Sequence, residues 1–133
     1  MMVETSALAA ILLGEPERHD FLERIAGPEH AFTIATAVFE SILAVCRQRE
    51  VAPVEAEAIV SALLAELRIE VMAFDPAMIP LAVEARQRFG AGKHRLNMGD
   101  CLSYAAARHH RAELLFKGED FARTDVNAKI KGY

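Results

Sequence analysis

The chain has 133 residues, 53% hydrophobic and 26% charged, with a formal net charge of −4. That length suits one domain spanning residues 1–133 with a sizeable core, and that composition excludes a disordered or fibrous chain. The acidic balance argues against a protein that grips nucleic acid by overall charge, so chemistry on a polyanion would need metal ions or a local basic patch.

Met1-Met2-Val3 reads as a short apolar strand, after which Thr5 or Ser6 caps a helix over Ala7 to Leu13. Gly14 stops that helix, and Pro16 opens a second one that runs to about Ile25. Its acids Glu15, Glu17, Asp20 and Glu23 read as a solvated face. Gly27-Pro28 is a break, and Ala31 to Ile34 is a second strand. Thr36 then caps a helix to about Arg49, with Phe39, Ile42, Leu43 and Cys46 on its apolar side. Pro53 starts another helix, with Val54, Ala58, Ser61, Ala62 and Ala65 on one face. Ile69 to Phe74 is a third strand, and Asp75-Pro76 opens a helix to about Phe89. Gly90 to Arg95 is a flexible basic loop. Asn97 caps the next helix, where Cys101, Leu102, Ala105, Ala106 and His109 recur on one side and Asp100 lies in the first turn. Glu113 to Phe116 is a fourth strand, and Val126 to Tyr133 is a candidate edge strand.

Leu8 to Leu13 is far short of the ~18 apolar residues that span a membrane. No basic region precedes the first apolar residues, so the expected compartment is the cytoplasm. Cys46 and Cys101 have no metal-ligand spacing and read as reduced core thiols. Strands alternating with helices predict an α/β fold: a parallel sheet covered on both faces, with ligands bound beyond the carboxyl ends of its strands.

That placement sorts the carboxylates. Glu4 ends the first strand, Glu40 lies one turn into the helix after the second, Asp100 opens the helix that feeds the fourth strand, and Glu119 and Asp120 follow that strand. Each has a plainer use: a solvated strand end, a rim residue, a dipole-complementing acid, a turn cap. Asp125 reads as a turn residue after Thr124. The plainer uses leave unexplained why several acids converge at one edge of one sheet. Like charges packed closely cost free energy unless a cation neutralises them, and hard oxygen ligands select Mg²⁺ or Mn²⁺.

At these residues the chain resembles the PIN-domain toxins of the VapC type. Met2 to Leu8 resembles the family's opening, with Glu4 where Asp is usual. Leu96 to Ala105 resembles its second acidic motif, and Leu114 to Phe121 with Thr124-Asp125 its C-terminal motif. Glu40 stands where the family carries a helical Glu. The resemblance implies a three-layer α/β/α sandwich with a mostly parallel sheet of four to five strands. It implies a Mg²⁺- or Mn²⁺-dependent endoribonuclease of a type II toxin–antitoxin system, a homodimer held inactive by a VapB-type antitoxin. It also assigns Glu4, Glu40, Asp100 and Asp120 as the catalytic and metal-binding acids, with Glu119 as the alternative fourth, and Thr5 as the residue orienting the attacking water. The basic residues available to the RNA backbone are Lys93, His94, Arg95, Lys117 and Arg123. Tyr104 reads as core, and His109-His110 as a helix-end pair. Because Glu is one methylene longer than Asp, the expected enzyme is slow and relatively better with Mn²⁺.

Two other readings stand beside this one. The first is a PIN-like module that has lost catalysis and only binds. The second is a receiver-like phosphoacceptor domain, for which Asp75 and Lys117 each follow a strand but the required acidic pair after the first strand is missing.

Overall fold

The computed structural model describes residues 1–126. The chain runs through β1 (Met2–Val3), α1 (Thr5–Leu12), α2 (Arg18–Ile25), β2 (Phe32–Ile34), α3 (Ala35–Arg49) and α4 (Pro53–Glu66). It continues through β3 (Glu70–Met72), a 3₁₀ turn (Pro76–Met78), α5 (Ile79–Phe89), α6 (Met98–His109) and β4 (Leu114–Leu115). The strands lie in the order β3-β2-β1-β4, and every pair is parallel. Met2 is in register with Phe32 on one side and Leu114 on the other. The edge strand expected over Val126 to Tyr133 falls, beyond Val126, outside the described residues.

Alternation along these strands divides the core in two. Val3 and Leu115 pack with residues of α1, α2, α3 and α4, including Leu8, Phe21, Val45 and Val60. Met2, Phe32 and Leu114 point the other way, to Met78, Ala85, Leu96, Tyr104 and Phe116. One layer of helices therefore covers each face, giving a three-layer α/β/α sandwich. The strands are short because helices start at the sheet edge: α1 and α3 begin within two residues of the strands they follow.

Several local readings are corrected. The α3 helix starts at Ala35, so Thr36 lies inside it rather than capping it, and Ile34 holds the cap position without a side-chain bond. Phe39 and Leu43 are exposed, not core. On α4 the buried face is Ala56, Val60 and Leu64, while Val54, Ala58, Ser61, Ala62 and Ala65 are exposed. The core side is the stripe Ala56, Ile59, Val60, Leu63, Leu64 and Leu67, recurring every three to four residues, while Glu55, Glu57 and Glu66 lie exposed. That stripe carries the large aliphatic side chains, whereas the face expected from the sequence is mostly alanine and buries less apolar area. Gly14 ends α1 with φ +67, a left-handed conformation that favours glycine.

Asp125 is more than a turn residue. Its carboxylate accepts the Tyr104 hydroxyl at 2.7 Å and pairs with Arg88 at 3.0 Å and Arg108 at 3.4 Å. Tyr104 is fully buried, as core should be, and this network pins the chain after β4 onto α5 and α6. Burial first, then the bond to Asp125, pushes the Tyr104 phenol up to about 12.

Candidate active site

Parallel strands end on one edge, and the acids gather there. Glu4 leaves β1 and caps α1 itself, in place of the Thr5 or Ser6 cap expected. Its Oε2 accepts the Ser6 backbone N–H at 2.7 Å and the Ser6 hydroxyl at 2.5 Å. The residue is only 3% exposed. Burial pushes its carboxyl up to about 7; the Ser6 bonds pull it back, and the charges of Asp100 and Glu40 push it further up.

Glu40 sits in the second turn of α3, and its carboxylate lies against the first turn of α6. There Gly99 leaves the space it occupies: a Cβ on Gly99 would stand 2.2 Å from Glu40 Oε1. Burial, then the charge of Asp100, raises the Glu40 carboxyl above its ordinary range. Asp100 forms a capping box with Asn97. Its N–H donates to Asn97 Oδ1 at 2.9 Å, and Asn97 N–H donates to its Oδ2 at 3.0 Å. The Asp100 carboxyl is raised by burial, lowered by the Asn97 bond, and raised again by the charge of Asp120.

Asp120 is therefore near enough to act on Asp100, and its Oδ1 lies 3.7 Å from His94 Nδ1. Lys93 and Arg95 flank that histidine on the exposed loop between α5 and α6. The Arg123 guanidinium lies close to Gly92 of the same loop. Basic groups thus border the acidic edge on the Asp120 side. Lys117 is not among them: its ammonium is held by Glu15 and Glu17, the latter at 3.1 Å, and those two acids are correspondingly not a free solvated face.

The donor set suits a hard divalent cation. Three carboxylates, Glu4 buried and Glu40 and Asp100 half-buried, repel one another when ionised, which a cation would offset. The Thr5 hydroxyl next to Glu4 is buried and has no hydrogen-bond partner among the described residues. Among the same residues, no group of three or more His, Cys, Asp or Glu side chains is already gathered as a metal cluster. Each acid is held instead by its own surroundings: Glu4 by Ser6, Asp100 by Asn97, and Glu40 in the Gly99 recess.

Sequence reasoning missed Ser6, Gly99 and the Glu15–Lys117–Glu17 clamp. A serine two residues after an acid, and a glycine directly before one, were the available signals. Asp75 caps the 3₁₀ turn by accepting Ala77 N–H at 2.7 Å, the role its Asp-Pro context suggested. No helix among the described residues is long and apolar enough to cross a membrane.

The PIN-domain family model matches residues 1–127. A ribonuclease VapC of Mycolicibacterium smegmatis is 38% identical over 130 residues, covering 96% of this chain and 98% of that protein. Among solved structures, VapC20 of Mycobacterium tuberculosis, a toxin that cleaves the sarcin–ricin loop, superposes with a TM-score of 0.73 at 17% identity, covering 93% of this chain and 94% of that one. A toxin–antitoxin complex from Klebsiella pneumoniae superposes with a TM-score of 0.72 at 20% identity, covering 94% and 92%. With the acids at one sheet edge and a relative this similar over nearly its whole length, the chain belongs to the PIN-domain family, as one of its VapC-type ribonuclease toxins.

Proposed function

We propose that this chain is a Mg²⁺- or Mn²⁺-dependent endoribonuclease, a single PIN domain working in the cytoplasm as the toxin of a type II toxin–antitoxin pair. The observation that carries this reading is the burial of Glu4 beside Glu40 and Asp100, three mutually repelling acids at the carboxyl edge of a parallel sheet. Glu4, Glu40 and Asp100 would hold the cation, with Asp120 as the fourth acid and Glu119 as its alternative. When bound, a divalent ion supplies an activated water and neutralises charge on the scissile phosphate and leaving oxygen. The protein's own part is to fix the acids: Asn97 holds Asp100 and Ser6 holds Glu4, and the buried, unpartnered Thr5 hydroxyl would orient the attacking water. Lys93, His94, Arg95 and Arg123 would receive the RNA backbone on the Asp120 side.

A homodimer fits the surface. Phe39 is 61% exposed and Met98 80% exposed, with Leu43, Ile79 and Val83 also uncovered. Two adjoining apolar grooves, of about 510 and 340 Å³, share Met98 and Leu102, and the larger reaches Glu40. Contiguous apolar surface of this kind marks an interaction site. The Klebsiella neighbour is a toxin–antitoxin complex, which supports a VapB-type antitoxin here, and a cationic side chain from it would pair with the acidic edge.

The test is incubation of the purified protein with total RNA in Mn²⁺, Mg²⁺ or EDTA. Cleavage in Mn²⁺ that stops in EDTA is expected, with Glu4→Asp faster than the wild type. Intact RNA in every condition would leave the protein as a binding module.

A further inference from the structure

Glu4 lies at the end of a short hydrogen-bonded chain that crosses the fold. Its Oε2 accepts two bonds from Ser6, one from the backbone N–H and one from the hydroxyl. A hydroxyl that donates to a carboxylate keeps its lone pairs, and one of these accepts the backbone N–H of Lys117 at 2.9 Å. Lys117 stands at the start of the segment that carries Glu119 and Asp120 after β4. It is fixed on its far side too, by the pairing of its ammonium with Glu15 and Glu17. One serine hydroxyl therefore joins the acid at the end of β1 to the segment bearing the acid that follows β4, across 111 positions of sequence.

We propose that Ser6 is a positioning residue: its hydroxyl holds one oxygen of Glu4 and the Lys117 peptide together, so that the Glu4 carboxylate and the Asp120 segment meet a divalent cation in a fixed relation. This rests on the metal-dependent reading above. The cap of α1 does not need the hydroxyl, since the Ser6 N–H makes the capping bond by itself. Alanine at position 6 keeps that bond and favours helix, so it removes only the hydroxyl's two bonds. Outer-shell partners of ligating carboxylates typically govern metal affinity by 10–100-fold.

The experiment measures Mn²⁺ binding to the RNA-free protein by electron paramagnetic resonance, with melting temperatures in EDTA as the control for folding. Ser6→Ala should bind Mn²⁺ roughly 10–100-fold more weakly than the wild type while melting within a few degrees of it. Ser6→Thr, which restores a hydroxyl, should recover wild-type affinity. Ser6→Cys, similar in shape but a feeble donor, should behave like alanine and gives a second route if alanine perturbs folding. Undiminished Mn²⁺ affinity in both Ser6→Ala and Ser6→Cys would overturn the role of Ser6 alone. So would a Ser6→Thr protein as weak as alanine. A wild type that binds no Mn²⁺ would overturn the metal-dependent reading and this role with it.

Discussion

Glu4 carries the largest electrostatic load of any residue at the edge. Its carboxyl is raised to about 7 from 4.5, so ionising it in the fold costs on the order of 3 kcal/mol relative to the unfolded chain. A raised acid stabilises the fold fully below its unfolded value, and that contribution is lost as pH climbs through the folded value. Glu40 and Asp100 shift in the same direction. Burial lowers His110 and works against them over part of the same range, while Asp125 and Glu17, shifted below the ordinary carboxylate range, are constant above it. In EDTA, the melting temperature of the wild type should therefore fall relative to Glu4→Gln between pH 5 and pH 8. Millimolar Mn²⁺ should restore more stability at pH 8 than at pH 5.5, because the cation binds the ionised site. Parallel melting curves for the two proteins across that range would mean that Glu4 is not strained by its burial.

At the level of elements, the approach of α3 to α6 sets the second acid. Glu40 occupies the recess left by the missing side chain of Gly99, and a methyl there would collide with both carboxylate oxygens and Cδ. Because the obstacle is the far end of a flexible side chain, Gly99→Ala should fold normally and evict the Glu40 carboxylate instead. We expect RNA cleavage to drop by about 10²-fold, as for a reacting group displaced by ~1 Å, with little change in melting temperature. Unchanged cleavage by a folded Gly99→Ala protein would place Glu40 outside the working site. The same elements show what the sequence could and could not tell. The Asn97 cap and the place of Asp100 in the first turn were legible because their spacing is local; that the two also bond back to each other appears only in the structure. The parallel sheet covered on both faces and the gathering of Glu4, Glu40 and Asp100 at one edge followed from apolar strands alternating with helices, whereas the order β3-β2-β1-β4 came only with the structure. What stayed hidden depends on contacts between distant segments: the Gly99 recess, the Ser6–Lys117 bond, the clamp on Lys117 and the network around Asp125. The exposed side of α4 was misread for a different reason: alanines at helical spacing were taken for the core face, although the larger Ile59, Val60, Leu63, Leu64 and Leu67 mark the opposite, buried side.

The whole molecule leaves an apolar surface uncovered beside its acidic edge. Ile79, Val83 and Met98 are exposed around a groove lined with Phe74, Cys101 and Leu102, apolar surface that a second copy would cover. Light scattering on the purified chain should give the mass of two copies. Val83→Glu, which puts a charge in that groove away from the acids, should shift it to one copy. A wild type that remains a single chain at all concentrations would remove the dimer from this account. Cleavage of RNA at the acidic edge with a bound cation makes the sharpest demand on Asp100. The deciding measurement is the RNA cleavage rate of the wild type and of Asp100→Asn in Mn²⁺. Asn keeps the shape and most of the hydrogen bonding of the capping box but loses the anionic oxygen. A folded Asp100→Asn protein should cleave about 10²-fold more slowly than the wild type; cleavage by that variant at the wild-type rate would remove Asp100 from the working site.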